Sequence, residues 1–162
     1  MLLDLGSSAT DMSIVKDLNT VFTRSIPVAG EAFTRAVSQS LGIEPIQAEE
    51  YKKTYGLDAN QLEGKVKKAL EPIFRVIIDE IKKAIHFYQT DEGGEAPTSI
   101  IITGGASVMP DIVPFLTENL NIETIVGDPF GKIKLDPETA KALVPYSSIY
   151  GTAVGLAMRE DI

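Results

Sequence analysis

Val66, Leu70, Ile73, Ile77, Ile81, Ile85 and Tyr88 recur at steps of three and four, which lays one apolar stripe along a helix from Lys65 to Gln89. Together with strand-like runs before it and the apolar run Ile100-Ile101-Ile102 after it, this stripe can close one contiguous core, so the chain is expected to fold by itself. Pro72 interrupts the pattern. Because the residue before a proline resists the α region, the helix is expected either to begin at Pro72 or to kink there.

Three runs, residues 2–5, 11–16 and 20–28, precede that helix and read as an antiparallel meander turned at Asp17-Leu18-Asn19. Gly30 opens an amphipathic helix through Ala32, Phe33, Ala36, Val37 and Leu41, closed by Gly42 as its C-cap. Residues 44–54 predict a second, more polar helix with Pro45 in its first turn, and 56–64 a polar connection. These make a small helical section at about residues 42–64.

Residues 99–103 predict a strand buried on both faces, as in a parallel sheet. A helix over 109–120 and a strand over 123–126 complete a right-handed parallel crossover. Residues 127–143, with Pro129 and Pro137, read as loop, and 147–159 as a closing helix with Gly151, Ala153, Gly155 and Ala157 on it. Glycine inside a helix costs about 1 kcal/mol against alanine, so this small-residue face is expected to press on other backbone. On that expectation Gly155→Leu overpacks the contact and costs about 1–3 kcal/mol.

The formal charge of −8 over 162 residues, without any Lys/Arg run, excludes a nucleic-acid footprint. With no cysteine there are no disulfides, thiolate metal sites or cysteine nucleophiles. No apolar run approaches the roughly 20 residues of a membrane helix. The only histidine, His86, sits among Ile85, Phe87 and Tyr88 with no second ligand type beside it and reads as packing or surface.

Two small-residue turns carry the candidate chemistry. In Leu2-Leu3-Asp4-Leu5-Gly6-Ser7-Ser8-Ala9-Thr10-Asp11 a strand delivers Asp4 to a turn whose short side chains let backbone N–H groups approach an anion. A plain turn also favours Asp, Gly and Ser. The second turn, Thr103-Gly104-Gly105-Ala106-Ser107, tips the balance toward a site, although any parallel crossover needs such a strand-to-helix turn.

The order of elements resembles one lobe of the actin-like, Hsp70-like, sugar-kinase-like fold. That fold class is α/β, ribonuclease H-like, with a mixed five-stranded sheet, flanking helices and a small helical insertion. Residues 4–11 resemble the second phosphate-binding hairpin of that superfamily, and 102–107 its adenosine-binding motif. The run Ser25-Ile26-Pro27-Val28-Ala29-Gly30-Glu31-Ala32-Phe33-Thr34, then Leu41-Gly42-Ile43 and Ala48-Glu49-Glu50, is similar to the PilM family of type IV pilus assembly proteins. The FtsA family of cell-division proteins is the next match.

The resemblance implies the second, C-terminal lobe of such a protein over residues 1–162, with the first lobe absent. Met1 runs directly into a buried-type strand, which fits a chain cut from a longer protein. It further implies ATP with magnesium as cofactors, held weakly or not at all by one lobe. Asp4 would position the metal, through water, or the attacking water. Gly6, Ser7, Ser8 and Thr10 would face phosphates, Glu31 the ribose, and Gly104, Gly105 and Ala106 the adenosine. Ser7-Ser8-Ala9 and Ala29 stand where relatives carry glycines, which hinders backbone approach.

The implied partner is the cytoplasmic N-terminal segment of PilN, docked mainly on the first lobe, with no nucleic acid and no membrane insertion. The implied place is the cytoplasm, at the inner membrane through partners, and the implied role an ATP-binding scaffold. An active ATPase or phosphotransferase lobe of the FtsA, Hsp70 or sugar-kinase kind is the alternative.

Overall fold

The computed structural model describes residues 1–159; the last three residues of the lobe expected over 1–162 lie outside them. Strands β1 (Leu2–Leu5), β2 (Thr10–Lys16) and β3 (Asn19–Ile26) form the meander, followed by α1 (Gly30–Leu41) and α2 (Pro45–Tyr55). A short 3-10 turn at Leu62–Gly64 leads into α3 (Lys65–Thr90), then β4 (Ser99–Thr103), α4 (Ile112–Leu120) and β5 (Glu123–Val126). The chain continues through α5 (Pro137–Leu143), a 3-10 stretch at Val144–Tyr150, and α6 (Gly151–Ala157).

The five strands lie in the order β3-β2-β1-β4-β5, antiparallel across the meander and parallel at β1/β4 and β4/β5. Alternation along the strands sends Leu3, Leu5, Met12, Ile26, Ile100 and Ile102 to one face. There they join Phe33 and Val37 of α1, the stripe of α3, and Ile112 and Leu116 of α4 in a continuous core. Ala48 of α2 and Leu57 behind it belong to that same core.

Several expectations change. Helix α3 runs through Pro72 without starting there. An interior proline costs about 3 kcal/mol. Pro72 sits on the exposed side of α3, while Val66, Ala69 and Leu70 before it and Phe74, Ile77 and Ile78 after it are buried, so packing on both sides holds the helix together.

Strand β4 is buried on one face only. Ile101 is 38% exposed and stands in register between Leu2 at 37% and Ile125 at 47%. Helix α4 begins three residues later than expected, because Asp111 takes a left-handed φ of 58° and Pro110 turns its carbonyl to the N–H of Leu57 (2.9 Å). Residues 137–143 are helical rather than loop. Pro137 is a starting signal there, since Asp136 caps the helix by accepting from the N–H groups of Glu138 (3.1 Å) and Thr139 (3.0 Å).

The closing helix is shorter than expected and preceded by 3-10 structure. Its small-residue face does not press on backbone: a side chain at Gly155 would meet nothing within 4 Å, and one at Gly151 would sit at an ordinary 3.5 Å from Thr103. Gly155→Leu in this chain should therefore leave the urea midpoint within about 0.5 kcal/mol of the parent, as for other open surface positions. A loss of the size first expected would show a covering contact on α6.

Candidate functional site

The hairpin between β1 and β2 closes when the N–H of Gly6 donates to Ala9 O (3.1 Å). Its outward carbonyls are taken by the start of α1: the N–H of Gly30 donates to Gly6 O (3.1 Å) and that of Glu31 to Ser7 O (2.8 Å). A side chain at Gly30 would stand 3.1 Å from Gly6 O and 3.4 Å from Ser7 Cα, so glycine is what lets helix and turn approach. Ser7 and Ser8 stay exposed, and the Ser8 hydroxyl donates to Glu31 Oε1 (3.3 Å).

The second turn folds onto the first strand. The N–H of Ala106 donates to Leu5 O (3.1 Å), and Gly104, at φ 87°, lies against Asp4 and Leu5. The Ser107 hydroxyl bonds Gly104 O (2.7 Å) and meets the Ser148 hydroxyl (2.9 Å), while the N–H of Gly104 donates to Ser148 O (3.1 Å). Ser148 is thereby buried although its neighbours Ile149 and Tyr150 are exposed. These bonds fasten the C-terminal segment to the second turn.

Both turns meet at a cleft of about 950 Å³, within the size range of small-ligand sites. Gly6, Ser7, Glu31, Gly105 and Ala106 line it. Asp4, Ser8, Thr10 and Gly104 are not part of that lining. Thr10 is fully buried and its hydroxyl donates to Val28 O (2.8 Å), which leaves it no proton for a ligand. Asp4 is half-buried, accepts from the Thr152 hydroxyl (3.3 Å), and faces Asp11 in register on β2. Two carboxylates paired across strands repel unless a cation or water separates them. Among the described residues no group of three or more Asp, Glu or His side chains is placed to hold a metal ion, so an ion beside Asp4 and Asp11 would keep most of its shell as water.

The sequence reading passed over Thr34 and Arg35 of α1, Glu49, Lys52 and Lys53 of α2, and Tyr146 and Ile149 near the C-terminus, all of which line the cleft. A signal for Lys52 was present. Ala48, Lys52 and Tyr55 share the inward side of α2 by steps of four and three, so a lysine occupies a core position. Glu31, Glu49 and Glu50 are balanced in the lining by Arg35, Lys52 and Lys53, so the cleft is locally neutral although the whole chain carries −8. Local balance matters more to an anion here than the distant charges, which salt screens beyond about 10 Å.

Burial alone would raise the Glu49 carboxyl, but hydrogen bonds from Lys52 and Thr34, the Lys52 charge and Lys53 outweigh it and hold the group at about 2 against an ordinary 4.5. The folded-state value is depressed, so this contribution is complete above pH 4.5 and disappears as pH falls toward 2. With about a third of the side chain exposed, solvent screening leaves roughly 1–2 kcal/mol. Glu49→Gln should flatten the acid limb of urea stability over that window. A parallel limb in the variant would show that Glu49 is not ion-paired in solution.

The family model described as type IV pilus assembly protein PilM matches residues 1–161. The cell division protein FtsA of Pseudomonas aeruginosa is 27% identical over 97% of this chain and 41% of its own length. Among solved structures, one described as a PilM-PilN type IV pilus biogenesis complex has a TM-score of 0.84 at 23% identity, covering 98% of this chain and 44% of that one. MreB5 of Spiroplasma citri bound to AMPPNP has a TM-score of 0.65 at 17% identity, covering 97% and 54%. The fold is thus that of the actin-like ATPases, and the chain spans about half the length of these relatives or less. By its match over nearly every residue, the chain belongs to the PilM family of type IV pilus assembly proteins.

Proposed function

We propose that the chain is the nucleotide-facing C-terminal lobe of an ATP-binding scaffold in type IV pilus assembly, working in the cytoplasm at the inner membrane through a protein partner. The observation that carries this reading is the meeting of two small-residue turns, Gly6–Ala9 and Gly104–Ser107, at one cleft. The backbone N–H groups of Ser7 and Ser8 would take the phosphates, since that of Gly6 closes the hairpin on Ala9 O, and Gly105 and Ala106 would lie against the adenosine. Glu31 would reach the ribose. Asp4, beside Asp11, would hold the magnesium hydration shell. The bound metal supplies charge neutralisation for the phosphates; the chain's part is to orient them.

Nuclear magnetic resonance with magnesium ATP tests this. Shifts should concentrate at Gly6–Thr10 and Gly104–Ser107, with a dissociation constant near the millimolar range, about 4 kcal/mol, because one wall leaves the ligand largely hydrated. Asp4→Ala should remove the dependence on magnesium. Shifts clustered elsewhere would overturn the assignment.

For the partner, supported by the PilM-PilN complex among the similar structures, a PilN-type cytoplasmic N-terminal peptide would dock mainly on the other lobe. It should therefore leave the resonances of this chain in place. Among the described residues no helix is long and apolar enough to cross a membrane, which fits association through such a partner. A hydrolytic, FtsA-like reading has the resemblance to that protein behind it. Steady phosphate release from the intact protein would favour it over a scaffold.

A further inference from the structure

The sheet has two edges, and among the described residues only one is guarded. Strand β5 is four residues long, carries the exposed Glu123 and is soon followed by Pro129, three features that blunt an edge against further pairing. Strand β3, at the other edge, is eight residues long, holds no proline or glycine and bears one charge, Arg24. Bonded to β2 on one side only, it turns alternate N–H and C=O groups outward. Regular pairing runs from Ile26 opposite Thr10 to Phe22 opposite Ile14 and then steps to Thr20 opposite Val15. Val21 is thus an extra residue, and the regular edge is residues 22–26.

Helix α3 forms a wall along this edge. Phe22, Arg24 and Ile26 share the core-facing side of β3, and α3 passes them in the opposite sense: Arg24 pairs with Glu80, while Phe22 meets Phe87 with ring centroids 6.1 Å apart. Val76, Glu80, Lys83 and Phe87 follow at steps of four, three and four, which puts them on the flank of α3 turned to β3. Val76 is 47% and Phe87 44% exposed, so the wall offers two apolar patches. Eleven helical residues rise about 16 Å and four strand steps about 13 Å, so one extended segment of about five residues reaches both. Between the patches lie Arg24 and Lys83, both paired to the single carboxylate of Glu80, which is 2.8 Å from Lys83. The middle of the wall therefore keeps one net positive charge on a chain of −8.

We propose that the β3 edge and the α3 flank are a docking site for an extended peptide segment of a partner protein, added to the sheet as a further strand, with apolar side chains at its first and fifth positions and an acidic one at its third. Backbone pairing supplies affinity in such strand additions, and the alternate side chains supply selection. The acidic group stands opposite Arg24 and beside Lys83, and the apolar ones meet Val76 and Phe87. A second copy of this chain fits the edge poorly. Antiparallel pairing over all of residues 22–26 would set Arg24 opposite Arg24, and like charges directly opposite destabilise.

The probe is a capped peptide, Thr-Val-Thr-Glu-Thr-Val-Thr, titrated into the 162-residue chain while amide shifts are followed by nuclear magnetic resonance. One control peptide carries Lys in place of Glu. Another has every backbone nitrogen methylated, which keeps the side chains and removes the strand donors. Shifts should gather at residues 22–26, Val76 and Phe87, and the Glu peptide should bind about tenfold more tightly than the Lys peptide, because an attractive cross-strand pair replaces a repulsive one. The methylated peptide should not bind. In Arg24→Gln, where Glu80 keeps Lys83 as its partner, the preference for Glu should shrink to about threefold or less. Phe87→Ser should weaken the Glu and Lys peptides alike. Binding of the methylated peptide equal to that of the parent peptide, shifts centred instead on Leu2, Ile101 and Ile125, or no binding at millimolar peptide would each overturn strand addition. Equal affinity for the Glu and Lys peptides would overturn the acidic partner. Shifts at residues 22–26 that grow with protein concentration alone would put a second copy on the edge and overturn the partner peptide.

Discussion

Phe74→Ala should lower stability by about 3–5 kcal/mol, read as a shift in urea midpoint at constant slope. Phe74 of α3 is fully buried. Its ring stacks on Phe33 of α1 with centroids 4.5 Å apart and meets Phe115 of α4 edge-on at 5.3 Å. One side chain therefore joins three helices that all rest on the same sheet face. Truncation removes the transfer free energy of the ring and both aromatic pairs, each worth about 0.5–1.5 kcal/mol beyond area. The sheet holds the three helices apart, so the cavity cannot close easily, which places the cost in the upper part of the range. A loss below about 1 kcal/mol would mean that α1 and α4 collapse into the space. Because Phe33 lies one turn from Gly30, the same variant should also loosen the hairpin turn that α1 supports.

The elements legible in the sequence are those with a strong local cause. The stripe of α3 and the alternation of β1 and β2 each declare one buried face. Gly42, at φ 64°, ends α1 where a left-handed residue is needed. The two small-residue turns were readable for the same reason. What stayed hidden depends on contacts between distant residues. Ile101 has the composition of a doubly buried strand, yet nothing in its own segment says whether a second layer covers it. Asp111 turns left-handed because Pro110 packs against Gly56, 54 residues earlier, where a side chain would lie 2.6 Å from the Pro110 carbonyl. The cleft was half legible. Its backbone turns are written in glycine, while the wall from α2 comes from a helix with a weakly amphipathic sequence and a lysine pointing inward. That lysine is intelligible only once Gly30 and Thr34 are beside it.

Gly104→Ala should cost about 2–4 kcal/mol and damage the cleft at the same time, combining left-handed strain with a backbone collision. Gly104 has φ 87°, where an L side chain is strained in any surroundings. An added Cβ would fall 2.3 Å from Asp4 Oδ1, 2.6 Å from Leu5 O and 2.8 Å from Leu5 C. The Asp4 carboxylate can swing aside, but Leu5 is β1 backbone, paired to Thr10 on one side and followed by the hairpin turn. The strain must therefore pass into the turn itself or into the Gly104–Ser148 bond that fastens the C-terminal segment. Gly105→Ala is the matched comparison. A Cβ there meets nothing within 4 Å, and the residue lines the cleft, so folding stability should stay within about 0.5 kcal/mol while any ligand lying against that backbone is pushed away. Urea denaturation and magnesium ATP titration of the two variants separate the functions of adjacent glycines: Gly104 joins strand to turn, and Gly105 leaves room. If Gly105→Ala binds the nucleotide as the parent does, the adenosine does not lie against this turn, and the second motif is a strand-to-helix connection only.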